Sequence, residues 1–156
     1  MPRPDNAITQ LAAALVKLSQ YRFPVTLNEV TRPFFREMAT VRGGDTAVMM
    51  RRLAADPADS AAAAFLSRDN QLASIMRTSC VATRLEGGHA YNALPQRATA
   101  NVNCRVVPSS SIEEVIATLQ RVVADTGVRI SLTIPTSERF GAAPSAIDAE
   151  LLGAVR

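Results

Sequence analysis

The stretch Thr78–Pro108, TSCVATRLEGGHAYNALPQRATANVNCRVVP, decides the fold of this chain. It predicts two β-strands joined by the loop GGHAYNALP, because strand-forming residues lie on both sides of a glycine- and proline-containing segment. Successive side chains of a strand point to opposite faces of the sheet. The second strand therefore has an apolar face and a polar face, and the polar face carries Thr99, Asn101, Asn103 and Arg105.

Helices are predicted on both sides of this hairpin. Residues 5–20 read as a helix with Asp5 as its N-cap, and residues 28–77 read as a helical segment in which Asp45, Asp56 and Asp69 begin successive helices. After the hairpin, either Ser111 with Glu114 or Ser110 with Glu113 forms a capping-box pattern, and Gly127 stands where a left-handed C-cap is expected. Residues 128–134 alternate apolar with polar side chains and predict a last strand.

This element order predicts an α+β fold with the ferredoxin-like βαββαβ pattern: an antiparallel sheet with two helices on one face. The first strand of that pattern is missing, and a helical insertion separates the first helix from the hairpin. In this topology the first strand is central in the sheet. The strand at 128–134 is therefore expected to have no obvious partner within the chain.

Composition and charge exclude several functions. The net charge is +3, but the 17 Lys and Arg residues are spread along the chain, which indicates a solvated surface and not a nucleic-acid site. An RNA-binding module would also need stacking aromatics on the exposed strand 98–107, which has none. No apolar run approaches the roughly 20 residues that span a bilayer, and the N-terminus lacks a signal-peptide pattern. A soluble parent is expected, and its compartment (cytoplasmic, secreted or periplasmic) stays open.

The two cysteines, Cys80 and Cys104, lack the spacing of a metal site. If the strands pair symmetrically about the loop, the two residues fall opposite each other. A disulfide is conceivable in that arrangement, but two small buried thiols are the favoured expectation.

A self-contained active site is not expected. The single histidine, His89, cannot build a two-histidine metal site, and the acidic residues lie mostly at helix starts, where capping explains them. An anion-binding surface is the remaining possibility, with Arg105 and Asn103 on one strand and Asn92 in the loop, because a guanidinium grips a carboxylate and an amide can hold a carbonyl. From spacing alone, a solvated outer sheet face explains the same residues.

The motifs from Gly87-Gly88 through Asn92-Ala-Leu-Pro95 and on to Asn103-Cys104-Arg105 resemble the lid or dimerisation domain of the zinc metallopeptidases related to glutamate carboxypeptidase, aminoacylase, acetylornithine deacetylase and succinyl-diaminopimelate desuccinylase. The helical segment, with Leu53-Ala-Ala-Asp-Pro57, resembles the vacuolar carboxypeptidase and N-acyl-amino-acid hydrolase subgroup. The resemblance covers nearly the whole chain. Pro108-Ser109 departs from the Pro-Gly that is usual in the family.

The resemblance implies a lid domain over residues 1–135, with 28–77 as its helical insertion, and a return segment over 136–156 toward a catalytic domain. It implies two zinc ions in that catalytic domain and no cofactor in this segment, which is expected to be inactive by itself. The partners implied are a second copy of the lid domain and a small peptide or N-acyl amino acid substrate. By the resemblance, Asn92 would bind the substrate carbonyl or transition state and Arg105 its terminal carboxylate. The family's lid histidine belongs to a different motif, so His89 does not inherit its role. His89 and Asn103 are kept as further candidate contacts on the strength of their positions alone.

The alternative function is a stand-alone ferredoxin-like module that binds a small ligand and regulates a partner. It requires a complete sheet, so a partner strand for residues 128–134 within this chain would favour it.

Overall fold

The structure is a computed structural model that describes residues 5–133 of the 156-residue chain. It contains helices and one antiparallel sheet, in the order α1 (Ala7–Gln20), α2 (Thr31–Val41), α3 (Gly44–Ala55), α4 (Ser60–Leu66), α5 (Asn70–Met76), β1 (Ser79–Gly87), β2 (Ala98–Arg105) and α6 (Ile112–Val123). These elements form two compact units. The hairpin unit comprises residues 5–23, 79–106 and 110–133, and the helical unit comprises residues 24–78 and 107–109.

The hairpin unit confirms the predicted α+β core. Strands β1 and β2 pair antiparallel, and α1 packs against both strands and against α6. The helical insertion lies between α1 and β1 in the chain, as expected. The predicted alternation of β2 is present except at Asn101. Thr99, Asn103 and Arg105 are exposed and Ala100, Val102 and Cys104 are half-buried, but Asn101, which was predicted on the polar face, is half-buried as well.

The cysteines correct the sequence-based expectation of two buried thiols. Cys80 and Cys104 are directly opposite in the register of β1 and β2, and they form a disulfide across the two strands. The two strands therefore pair with the cysteines opposite each other, which is the arrangement in which a disulfide was considered. A cross-link that closes a loop of 24 residues stabilises the folded chain by about 3–4 kcal/mol in the chain-entropy account.

The register shifts once, between Ala82 and Arg84 of β1. Thr83 is the extra residue, so β1 has a bulge that β2 lacks. The amide Nδ2 of Asn101 donates to Thr83 Oγ1 at 2.8 Å, which holds the bulge against the opposite strand.

The N-cap of helix α1 lies one residue later than the predicted Asp5. Its N-cap is Asn6, whose side chain accepts from the N–H groups of Ile8 and Thr9, and the Thr9 side chain completes a capping box. Two contacts tie α1 to the end of α6: Lys17 Nζ donates to the carbonyl of Val123 at 2.5 Å, and Gln10 Nε2 donates to Asp125 Oδ1 at 2.9 Å. A lysine at a helix C-terminus satisfies a free carbonyl and complements the helix dipole.

Helix α6 confirms its predicted start and corrects its predicted end. Of the two predicted capping boxes, the one formed by Ser111 and Glu114 is present. The helix ends at Val123, however, and the left-handed C-cap residue is Ala124, with φ 46°, not Gly127. Gly127 instead donates its N–H to Asp125 Oδ1 in the following turn.

The strand predicted at 128–134 does not form in the part of it that the structure describes. Residues 128–133 belong to no strand, and the described sheet contains only β1 and β2. A strand is stabilised by a hydrogen-bonded neighbour, and alternation alone supplies none. Ile134 lies outside the described residues, as does the predicted return segment 136–156, so the domain boundary at residue 135 stays a prediction.

The helical unit has its own apolar core, in which Phe35, Met50, Leu53, Leu66 and Met76 are almost completely buried. Its helices begin near the predicted acidic residues, but only Asp69 acts as the predicted N-cap. Asp45 lies inside the first turn of α3, and Asp59, not Asp56, caps α4.

Two arginines of the helical unit bind carbonyl oxygens of the facing helix. Arg32 donates to Ala54 O at 2.8 Å, and Arg51 donates to Ala39 O at 3.1 Å. These contacts satisfy free carbonyls near the C-terminal ends of α3 and α2. Within residues 5–133, no helix combines the length and the apolar character that crossing a membrane requires.

Ala124 offers a direct test of the end of α6. A residue with a Cβ is disfavoured in the left-handed region, so Ala124→Gly should raise the free energy of unfolding by about 1 kcal/mol. Ala117→Gly, in the exposed middle of the same helix, is the matched control and should lower it by a similar amount. Urea titrations of the three proteins measure both changes. A loss of stability in Ala124→Gly would contradict the left-handed cap.

Asp59 makes the stability of the helical unit depend on pH. The N–H of Ala62 and the guanidinium of Arg52, which lies 2.8 Å away, lower the pKa of Asp59 from its usual 3.8. A carboxyl whose pKa falls on folding stabilises the folded state above its unfolded pKa, and that stabilisation is lost as the pH falls through the folded pKa. Asp59→Asn, which keeps a capping side chain, should therefore be less stable than wild type at pH 7, and the difference should shrink below about pH 4. Unfolding titrations at pH 7 and pH 3 test this, and a pH-independent difference would contradict it.

Candidate functional site

The candidate site is the open face of the hairpin, which we define as the side of β1 and β2 facing away from α1. Gly87 and Ala98 mark the opposite side, since a Cβ built on Gly87 would lie 3.0 Å from Ile8 of α1 and 3.2 Å from the Ala98 side chain. With the register and the bulge taken into account, the open face carries Ser79, Val81, Arg84, Glu86, Thr99, Asn101, Asn103 and Arg105.

The half of the open face nearest the loop is satisfied internally. Arg84 and Glu86 form a salt bridge along β1, so their charges offset each other. Asn101 is engaged by Thr83 at the bulge. These residues therefore offer little free charge to a ligand.

The other half of the open face differs, because Arg105 and Asn103 have no such partners. Both side chains are exposed, and neither makes a hydrogen bond or ion pair with any described residue. They are two residues apart on β2, so they lie on the same face, about 7 Å apart along the strand. A guanidinium beside an amide is suited to a carboxylate or another planar anion.

The loop 88–97 lies at the opposite end of the hairpin. His89, Tyr91 and Asn92 are all exposed in it. The loop is attached to the start of α1, since the Ala7 N–H donates to the Pro95 carbonyl at 3.3 Å. Gly88 has φ +81°, a conformation that favours glycine and turns the chain out of β1.

The structure therefore brings Asn103 and Arg105 together but does not place Asn92 with them. Arg105 ends β2, about 23 Å along the strand from Ala98 at the usual rise of about 3.3 Å per residue, and the loop precedes Ala98. Asn92 and Arg105 are at opposite ends of the hairpin. A single carboxylate or carbonyl group of a small molecule therefore does not contact both residues of one hairpin.

No metal centre is formed by residues 5–133, which contain no cluster of three or more His, Cys, Asp or Glu side chains. Among the sulfur and nitrogen ligands that zinc prefers, both cysteines are used in the disulfide, and His89 is the single histidine of the sequence. The described residues do not fit a di-zinc site.

The sequence predicted the polar face of β2, but it did not predict the bulge in β1 that brings a salt bridge onto one half of this face. The bulge at Thr83 shifts the phase of β1, which puts Arg84 and Glu86 on the same face as Asn101 and Arg105. No glycine or other signal in the sequence of β1 marks that shift. The disulfide directly behind Asn103 and Arg105 was foreseen only as the less favoured alternative.

Comparison with known proteins gives one family and a consistent set of relatives. Residues 2–130 match the family described as peptidase dimerisation domain. The chain is 32% identical over 133 residues to a probable carboxypeptidase S-like 2 of Dictyostelium discoideum, a match that covers 84% of this chain and 25% of the relative. It is 28% identical over 137 residues to an N-fatty-acyl-amino acid synthase/hydrolase of Xenopus tropicalis, covering 85% of this chain and 26% of that protein.

These matches have a limited extent. The chain spans about a quarter of the length of these two curated relatives. No solved structure matches it. The subgroup that the sequence motifs indicated, carboxypeptidases and N-acyl-amino-acid hydrolases, is the one from which the relatives come.

Proposed function

The chain belongs to the peptidase dimerisation domain family, and from that premise we propose that it is the dimerisation and substrate-binding lid of a di-zinc hydrolase that cleaves peptides or N-acyl amino acids. The names of its relatives, a carboxypeptidase and an N-fatty-acyl-amino acid hydrolase, support this substrate class. Both kinds of substrate carry a free carboxylate next to the bond that is cleaved.

The observation that carries the proposal is the unpaired guanidinium of Arg105. It is the positive charge on the open face that no carboxylate among the described residues offsets, whereas Arg84 on the same face is bound to Glu86. We assign Arg105 to the substrate carboxylate and Asn103 to a supporting hydrogen bond beside it. A fixed guanidinium and amide orient the substrate without taking part in bond cleavage.

Asn92 has a separate role, because it lies at the other end of the hairpin from Arg105. In a two-fold dimer each protomer presents both ends of its hairpin, and the two ends can serve two different substrate molecules. We assign Arg105 to the substrate in its own protomer and Asn92 to the carbonyl of the substrate held by the partner. His89, in the same loop as Asn92, is a further candidate contact without an assigned chemical role.

The bond-breaking chemistry belongs to other parts of the parent protein. The described residues do not fit a di-zinc site, so the metal ligands and the general base would come from a separate catalytic domain. This chain would supply binding and orientation only, and by itself it would be inactive.

The homodimer would form through a helix face and a strand edge. Among residues 5–133, β1 and β2 each have one edge that pairs with no other strand. An unpaired edge offers a row of free N–H and C=O groups that another chain can pair with. Joining two small sheets in this way supports the assembly that the family's name describes.

The disulfide bears on the compartment of the parent. Cross-strand disulfides persist in oxidising environments and are rare where glutathione and thioredoxin keep thiols reduced. Cys80–Cys104 therefore favours a secreted, periplasmic or other oxidising location over the cytoplasm.

The stand-alone regulatory module is not favoured by any observation. It required a partner strand for residues 128–134 within the chain, and residues 128–133 form no strand.

Replacing Arg105 tests the proposed function in the intact protein that contains this chain. Arg105→Ala should raise KM for an N-acyl amino acid about 10–100-fold with kcat changed less than about threefold, since a hydrogen bond to a charged group contributes about 1.5–3 kcal/mol. Arg84→Ala removes a paired arginine from the same face and is the control, with KM changed less than about threefold. Steady-state kinetics of the three proteins give both parameters. An unchanged KM in Arg105→Ala would contradict the assignment, and a wild type that hydrolyses neither peptides nor N-acyl amino acids would contradict the proposed function.

A further inference from the structure

The Cys80–Cys104 disulfide lies directly behind the pair of side chains assigned to the substrate carboxylate. In the register, Ser79 faces Arg105, Cys80 faces Cys104 and Val81 faces Asn103. Cys104 is thus the residue between Asn103 and Arg105. Its sulfur points to the α1 side, while its two neighbours point to the open face.

Few cross-strand links other than the disulfide hold the segment that carries Asn103 and Arg105. Just beyond its end the Val107 N–H donates to Thr78 Oγ1 at 3.2 Å, and α1 packs on the side away from the open face. Only four residue pairs lie between the bulge at Thr83 and the base of the hairpin, where β2 ends at Arg105. Among the described residues no third strand flanks this segment. A two-stranded ribbon is marginal in water, and the ends of strands fray first.

From this arrangement we propose that the Cys80–Cys104 disulfide positions Arg105 and Asn103 for carboxylate binding, and that reducing it weakens substrate binding. This inference rests on the proposed function of the open face. Cys80 and Cys104 act through Arg105 and Asn103, so they are positioning residues. With the cross-link in place, the last pairs of the hairpin keep one register, and the guanidinium and the amide are held ready for the ligand. Without it, binding must also order the frayed strand end.

Reduction of this disulfide follows ordinary thiol–disulfide exchange. A thiolate of an external dithiol attacks one sulfur and breaks the Cys80–Cys104 bond, and the second thiolate of the dithiol then displaces that sulfur. Two electrons pass to the cysteine pair, which takes up two protons and ends as two thiols, while the dithiol becomes a cyclic disulfide. Both cysteines are half-buried, so a small dithiol can approach them.

The test uses the intact protein that contains this chain, prepared oxidised, with an N-acyl amino acid as substrate. Treatment of the wild type with dithiothreitol should raise KM about tenfold and leave kcat within about twofold, because a lost contribution of about 1.4 kcal/mol to binding is a tenfold change. The double variant Cys80→Ala with Cys104→Ala should show the raised KM without treatment and should not respond to dithiothreitol. Thiol counting by mass spectrometry before and after treatment confirms the redox state.

A control separates positioning from stability. Ala117→Gly weakens α6 without touching the hairpin, so it should lower Tm and leave KM unchanged. If the double variant does not fold, the comparison of oxidised with reduced wild type still decides the question, since both arms use the same protein.

The outcomes are distinct. Oxidised wild type that is active but keeps its KM after complete reduction would overturn the inference and leave the proposed function standing. Free thiols at positions 80 and 104 in protein made in an oxidising compartment would also overturn it. Oxidised wild type that hydrolyses no N-acyl amino acid or peptide would instead overturn the proposed function, and the inference with it.

Discussion

The pairing of β1 with β2 in one register is the constraint on which the hairpin unit depends. It sets Cys80 opposite Cys104 on the side facing α1 and leaves Asn103 and Arg105 on the open side. Because side chains alternate along a strand, a slip of one residue would turn the binding groups toward α1 and the apolar groups toward solvent. The disulfide and the packing of α1 on one side of the hairpin both oppose that slip.

The open face divides into two halves with different chemistry. Toward the loop, the Arg84–Glu86 salt bridge and the Asn101–Thr83 hydrogen bond use the polar groups internally. Toward the base, no carboxylate among residues 5–133 pairs with Arg105. In the proposed function, this division places anion binding at one end of the hairpin and the loop that carries Asn92 at the other. If both ends bind substrate as proposed, a dimer lets each end reach a different substrate molecule.

The features that the sequence predicted are those set by local pattern. Alternation in β2 predicted the two faces, and the Ser111–Glu114 capping box predicted the start of α6. The errors arose where neighbours in space decide. Residues 128–133 alternate like a strand but have no described partner strand. The left-handed end of α6 falls on Ala124, although Gly127 is the better residue for that conformation. Contacts of Lys17 and Gln10 with the end of α6 stabilise the observed arrangement. The bulge at Thr83 has no sequence signal.

The central claim, that one hairpin serves two substrates in a dimer, is tested most directly by mixing two defective protomers. Asn92→Ala and Arg105→Ala are coexpressed as the intact protein, so that each protomer lacks the binding group at one end of its hairpin. Activity is measured at a substrate concentration far below the wild-type KM, where the raised KM of Arg105→Ala makes that variant nearly inactive. If the two residues act at different substrates, random pairing in a two-fold dimer restores one complete site in half of the dimers, which gives about a quarter of wild-type activity. If mixed dimers form and show no activity above that of the separate variants, both residues act at the same substrate, and the account is contradicted.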